Sequence, residues 1–241
     1  MEAEIADLGT EHGLAASMPS SGLVSLGAHW VSHHGVPSLR RGSPCAISFC
    51  PSSRIIAVGA GDGRVKLMGA EGVEALLSGG SPKATRGLLF PLPDCLVRLT
   101  EDGVMEAWSL ESRALFGTFP AKSCGEIGDG DDDVIVTAVS AIPGSKFVLA
   151  GCADGTLRAV MVDAAEAVVQ ALPFRVAPST LQGADGPAGA AGPVVAVLPQ
   201  PQVEARRVLL VHCTGLVTLW DIPRRRVVAT SRASGNLAPV A

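Results

Sequence analysis

"RIIAVGAGDGRVKL", residues 54 to 67, sets a glycine-rich turn directly after an apolar run. Two folds begin that way. A dinucleotide-binding turn needs G-x-G-x-x-G opening a helix, so that backbone N–H groups and the helix N-terminus face a pyrophosphate. Gly59 and Gly61 fit that pattern, but Arg64 stands at the third glycine position. The residues that follow, Arg64, Val65, Lys66 and Leu67, alternate polar and apolar with the period of a strand, which predicts a half-buried strand rather than a helix. Asp62-Gly63 between two such runs predicts a tight hairpin of type I′, with positive φ at both central residues.

Aligning the chain on that turn exposes an internal repeat. "IIAVGAGDGRVKLM" (55 to 68), "CLVRLTEDGVMEAW" (95 to 108), "FVLAGCADGTLRAV" (147 to 160) and "RVLLVHCTGLVTLW" (207 to 220) share one pattern. In each, a largely apolar run leads to a turn ending in Gly63, Gly103, Gly155 or Gly215, and an alternating run follows. Met68, Trp108, Val160 and Trp220 occupy one common slot, which the alternation assigns to the core. Upstream, shorter apolar runs end at Pro51, Pro91, Pro143 and Pro199.

Each unit reads strand, proline turn, strand, Asp-Gly or Thr-Gly hairpin, strand, then a fourth apolar run such as "VEALL" or "RALFGTF". Four antiparallel strands make one propeller blade. The turn glycines are spaced as far apart as, or farther than, the ~40–45 residues of a WD repeat. The excess falls in two glycine-rich or acidic loops, 122–133 and 178–192, too poor in apolar groups to pack. Trp220-Asp221 is the WD dipeptide itself. The expected fold is an all-β, WD40-type β-propeller of about four blades, at about 44–80, 84–120, 134–176 and 193–230, after a flexible segment over 1–22. Residues 23 to 31, "LVSLGAHWV", alternate as a strand that completes the last blade. Four blades in an open row leave unpaired edges, so the expectation is a partial propeller with exposed ends, a tight four-bladed ring, or assembly with another chain.

Composition narrows the function. At 241 residues with a net charge of −4, the chain lacks the clustered cationic excess that phosphate backbones demand. Its basic runs, Arg40-Arg41, Arg206-Arg207 and Arg224 to Arg226, are short and scattered, as solvated turns and strand ends are. The six cysteines form no C-x-x-C pair and sit largely in strand-like runs, as small hydrophobes in a reducing compartment do. Glu2, Glu4 and Asp7 stand where a basic leader segment would, and no apolar run reaches about 18 residues, so the chain reads as soluble and cytoplasmic.

With the units in view, particular words become informative. Gly35-Val36-Pro37, then Phe49-Cys50-Pro51, Ala57-Val58-Gly59, Asp62-Gly63, Lys66 and Gly72-Val73-Glu74 together resemble the start of the first propeller in the tomosyn and lethal giant larvae family. The resemblance runs from about residue 30 to 228, and Cys50 departs from the Asp usual before the proline. Family members carry two seven-bladed propellers, and tomosyns add a segment resembling a vesicle SNARE helix, so this chain corresponds to a fragment of the N-terminal propeller. The resemblance implies a non-catalytic scaffold that binds syntaxin-like and SNAP-25-like SNAREs and regulates vesicle exocytosis, with links to Rab GTPases and myosin II. It implies a cytoplasmic location, peripheral at the plasma membrane through partners. A WD40 adaptor unrelated to secretion, and a nucleotide-binding enzyme using Gly59 to Gly63, are the alternatives.

The remaining inventory holds little chemistry. Neighbours in an extended chain point to opposite faces, so His33-His34 makes a poor metal pair. Histidines 12 and 29 have no ligand spacing, and His212 falls in the second strand of the last blade. "DGDDD" (129 to 133) lacks the spaced ligands and closing Glu of a calcium loop and reads as a solvated acidic loop. No G-x-S-x-G, P-loop lysine or Cys/His nucleophile pattern is present. No catalytic, cofactor-binding or metal-ligating residue is assigned, and no nucleic-acid partner is expected.

Overall fold

A computed structural model describes residues 44–69, 74–77, 79–120, 134–142, 144–176, 191–201 and 206–232. Among them every regular element is a strand. Sheet one holds β1 (Pro44–Cys50), β2 (Ile55–Ala60), β3 (Val65–Met68) and β4 (Glu74–Leu77); sheet two holds β5 (Thr85–Leu92), β6 (Cys95–Thr100), β7 (Met105–Ser109) and β8 (Ala114–Phe119). Sheet three holds β9 (Val136–Ala141), β10 (Phe147–Cys152), β11 (Leu157–Asp163) and β12 (Val168–Val176), and sheet four holds β13 (Val194–Pro199), β14 (Arg207–His212), β15 (Leu216–Asp221) and β16 (Arg226–Arg232). Each strand bonds to the next in chain order, antiparallel, as in the central pairs of all four sheets. The chain forms two compact units, Met1–Leu88 and Leu89–Ala241. The described strands of sheet four come from residues 194–232; the expected completing strand at 23–31 lies outside the described residues, as do the segment 1–22 and most of both loops.

The central turns are the same object four times. The N–H of Gly63, Gly103, Gly155 or Gly215 donates to the carbonyl of Ala60, Thr100, Cys152 or His212, at 3.0–3.2 Å. Those glycines have φ of +86°, +83°, +80° and +78°. Asp62 does not take a positive φ, so the type I′ expectation is corrected. The loop has three residues, a type I turn followed by one residue in the left-handed region, which is where the glycine is required. The aspartate caps the loop: Asp154 accepts from the N–H of Thr156 at 2.9 Å, and Asp62 from that of Arg64 at 3.2 Å. Thr214, in the aspartate's place, donates its hydroxyl to the Ala191 carbonyl at 2.9 Å.

Register makes the equivalence quantitative. Ile56 pairs with Met68, Leu96 with Trp108, Val148 with Val160, and Val208 with Trp220, at one fixed offset from each turn glycine. All four members of the predicted slot are buried. Within the second unit, one core cluster joins sheets two and three through Val97, Leu99, Met105, Val148 and Val160, and another joins sheets three and four through Leu149, Leu157, Val208, Leu210 and Trp220. Burial of each such side chain is worth about 1.5–3 kcal/mol, and this packing holds sheets two, three and four together. The inner strands meet closely: a Cβ on Gly151 would lie 2.4 Å from Val194 Cγ1, and the Thr137 hydroxyl donates to the Val194 carbonyl at 2.6 Å.

The half-buried character expected of β3 is also corrected. All four residues of β3 and all six of β6 are buried. These two strands are interior to their sheets and covered on both faces, so the alternation there is one of chemistry and not of exposure, whereas β14 and β15 of sheet four alternate buried with half-buried residues.

Candidate functional site

The glycine segment itself is not a phosphate cradle. A strand, β3, follows Gly63 where a phosphate-binding turn would open a helix, and a Cβ at Gly63 would meet the Ser81 carbonyl oxygen at 2.3 Å. Asp62 is engaged by its own neighbour, accepting from Arg64 Nε at 2.8 Å. That hydrogen bond holds the Asp62 carboxyl below the usual carboxylate range. The residues of the alternative enzyme reading therefore build a hairpin.

The ionisable groups that the alternation seemed to send to solvent are paired inside the sheets. Arg98 and Glu106 stand directly opposite on β6 and β7, both buried, with Nη1 2.8 Å from Oε2. Lys66 on β3 meets Glu74 on β4 at 3.2 Å, again buried. Sequence reasoning missed both pairs; opposite charges at facing register positions are the signal for Arg98 and Glu106, whereas Lys66 and Glu74 meet on the diagonal, with Lys66 facing Leu76 and Glu74 facing Met68. Such pairs hold their strands in register.

His212 ends β14, fully buried, with Nδ1 3.0 Å from the Gly192 carbonyl. Burial pushes its pKa down, against a smaller opposing effect of that bond, so the neutral ring is a structural tie between the chain leading into β13 and the central hairpin of sheet four. Burial likewise pushes the Cys95 thiol up to about 12 and the Cys152 thiol to about 11, which keeps both protonated and unreactive. Asp221 of the WD dipeptide accepts from the Arg224 N–H at 3.0 Å and caps the β15–β16 turn. Among the described residues no three His, Cys, Asp or Glu side chains group as a metal site. Histidines 12, 29, 33 and 34, Cys124 and the acidic run 129–133 lie outside those residues.

The described surface carries two concavities. A cavity of about 130 Å³ in the second unit is lined by Pro173, Phe174, Arg175 and Val176 of β12, by Trp220 of β15, and by Arg225 of the following turn. A shallower one of about 350 Å³ lies against Leu198, Pro199, Arg207, Leu209 and Leu219, where Leu198 is 54 % exposed. Both mix apolar walls with guanidinium groups, the composition of protein-binding surfaces.

Comparison with known proteins agrees with this geometry. The family model "WD domain, G-beta repeat" matches residues 29–67 and 123–159. The chain is 29% identical over 208 residues to LLGL scribble cell polarity complex component 2 of Danio rerio, covering 81% of this chain and 19% of that protein. The Homo sapiens counterpart is 25% identical over 210 residues, with the same coverage. The chain thus spans about a fifth of the length of the curated relatives it matches. A chain in the crystal structure of the mitotic checkpoint complex superposes with a TM-score of 0.57 at 14% identity, covering 81% of this chain and 52% of that one, a likeness of fold alone.

Proposed function

We propose that this WD40-repeat chain, related to the lethal giant larvae proteins, is a protein-binding scaffold with no chemistry of its own. The observation that carries this reading is the blade repeated four times on one register, with its buried charges neutralised in pairs and its exposed concavities built from apolar and guanidinium groups. Such a surface binds and does not turn over. The name of these relatives supports a place in a cell polarity complex. The family resemblance supports syntaxin-like and SNAP-25-like SNARE partners, control of vesicle exocytosis, contacts with Rab GTPases or myosin II, and a cytoplasmic location reaching the plasma membrane through partners.

The test is capture of purified syntaxin-type and SNAP-25-type SNAREs on the immobilised chain. Saturable retention supports the trafficking assignment. Failure to retain either SNARE, with polarity proteins retained instead, moves the chain to an adaptor unrelated to secretion. Failure to retain any protein overturns the scaffold reading.

A further inference from the structure

We infer that the cavity between β12 and sheet four binds carboxylate side chains from an acidic segment of a partner protein. This rests on the scaffold reading and names the chemistry of one of its surfaces. Two of the six lining residues, Arg175 and Arg225, are guanidinium donors, and none is a carboxylate. Arg175 has an ion pair with Asp154, but at 3.6 Å with both side chains about half exposed, a contact weak enough for a better-placed carboxylate to displace. Arg224 is held by Asp221 at 3.4 Å. Arg225, one residue on, lines the cavity from a left-handed backbone position (φ 49°) immediately before β16.

Trp220, 2 % exposed, closes the inner wall with its indole ring. Pro173, Phe174 and Val176 make the remaining wall apolar, which strengthens a charge-assisted bond formed there. At about 130 Å³ the space is small beside the ~300–1,000 Å³ of small-molecule sites, and suits a single carboxylate or phosphate group.

A protein segment is favoured over a free ion or a lipid by the strand that builds the wall. β12 is the outermost strand of sheet three, nine residues long. That edge pairs with no strand among the described residues, so an extended chain can run along it while placing a side chain in the cavity. The register with β11 shifts between Arg158 and Val160, opposite Ala171 and Arg175, and such an irregularity re-aims the side chains beside it.

The experiment is a titration followed by calorimetry and tryptophan fluorescence. The probes are a short Glu/Asp-rich peptide, its Gln/Asn counterpart, inorganic phosphate, and phosphatidylserine vesicles. The acidic peptide is expected to bind and to shift the tryptophan emission. The double variant Arg175→Gln/Arg225→Gln should weaken it at least about tenfold, with unchanged far-UV circular dichroism. Arg224→Gln/Arg226→Gln, with the same loss of charge outside the cavity, should change affinity less than about twofold. Equal weakening by both double variants, equal binding of the Gln/Asn peptide, or binding of phosphate or vesicles without the peptide would overturn the assignment. If the peptide fails while protein capture persists, the cavity is refuted and the scaffold reading stands.

Discussion

Replacing Gly103 by alanine and comparing it with Gly144→Ala separates two effects of a turn glycine. Both glycines have positive φ, +83° and +69°, so each substitution incurs the left-handed penalty of roughly 1–2 kcal/mol for a residue with a Cβ. They differ in what the new atom meets. At Gly144 nothing lies within 4 Å. At Gly103 the Cβ would stand 2.4 Å from Ile135 Cγ2, 2.9 Å from the Val136 carbonyl oxygen and 3.0 Å from the Val136 nitrogen. Ile135 is 51 % exposed and can swing aside at little cost. The Val136 backbone cannot, because its N–H donates to the Gly103 carbonyl at 2.9 Å and ties the sheet-two hairpin to β9. Losing that bond adds about 1 kcal/mol. Urea unfolding followed by tryptophan fluorescence should therefore show a loss of about 2–3 kcal/mol for Gly103→Ala and about 1–2 for Gly144→Ala, at unchanged m-value. Equal losses would mean that the turn does not dock on the next sheet, and the reasoning would fail.

Three further outcomes follow from the buried groups. Arg98→Met should cost about 3–5 kcal/mol by removing the guanidinium that faces the buried Glu106 carboxylate, while Arg98→Met/Glu106→Leu recovers most of it; denaturant titration of both variants decides this. Iodoacetamide at pH 8 should modify exposed Cys45 in the native protein and spare Cys95 until urea is added, since a pKa near 12 instead of 9.0 cuts the thiolate about a thousandfold; peptide mapping reads the sites. The unfolded His212 takes a proton near pH 6.5, whereas the buried ring resists it. Stability is thus full above that pH and falls as pH drops toward the lower folded value, by at most about 1.4 kcal/mol per pH unit, and His212→Gln should flatten that slope.

The turn glycines made most of the fold legible in sequence, because a left-handed backbone position admits few residues besides glycine. Once four such positions align, register arithmetic places Met68, Trp108, Val160 and Trp220 together without further assumption. The type of turn was not legible, since Asp62-Gly63 satisfies both a two-residue and a three-residue loop and only the φ of Asp62 separates them. Nor was the burial of Lys66, Arg98 and Glu106: polar alternation ordinarily marks a solvent face, and nothing local tells that both faces are covered. Arg175 and Arg225 belong to different sheets, and only the packing of sheet three against sheet four brings them to one cavity.

The equivalence of the four central hairpins is tested most directly by cross-strand backbone NOEs in a labelled sample. The account predicts contacts for Ile56 with Met68, Leu96 with Trp108, Val148 with Val160 and Val208 with Trp220, all at one offset from the turn glycine. Sequential helical NOEs immediately after Gly63, or a different offset in any of the four, would contradict it.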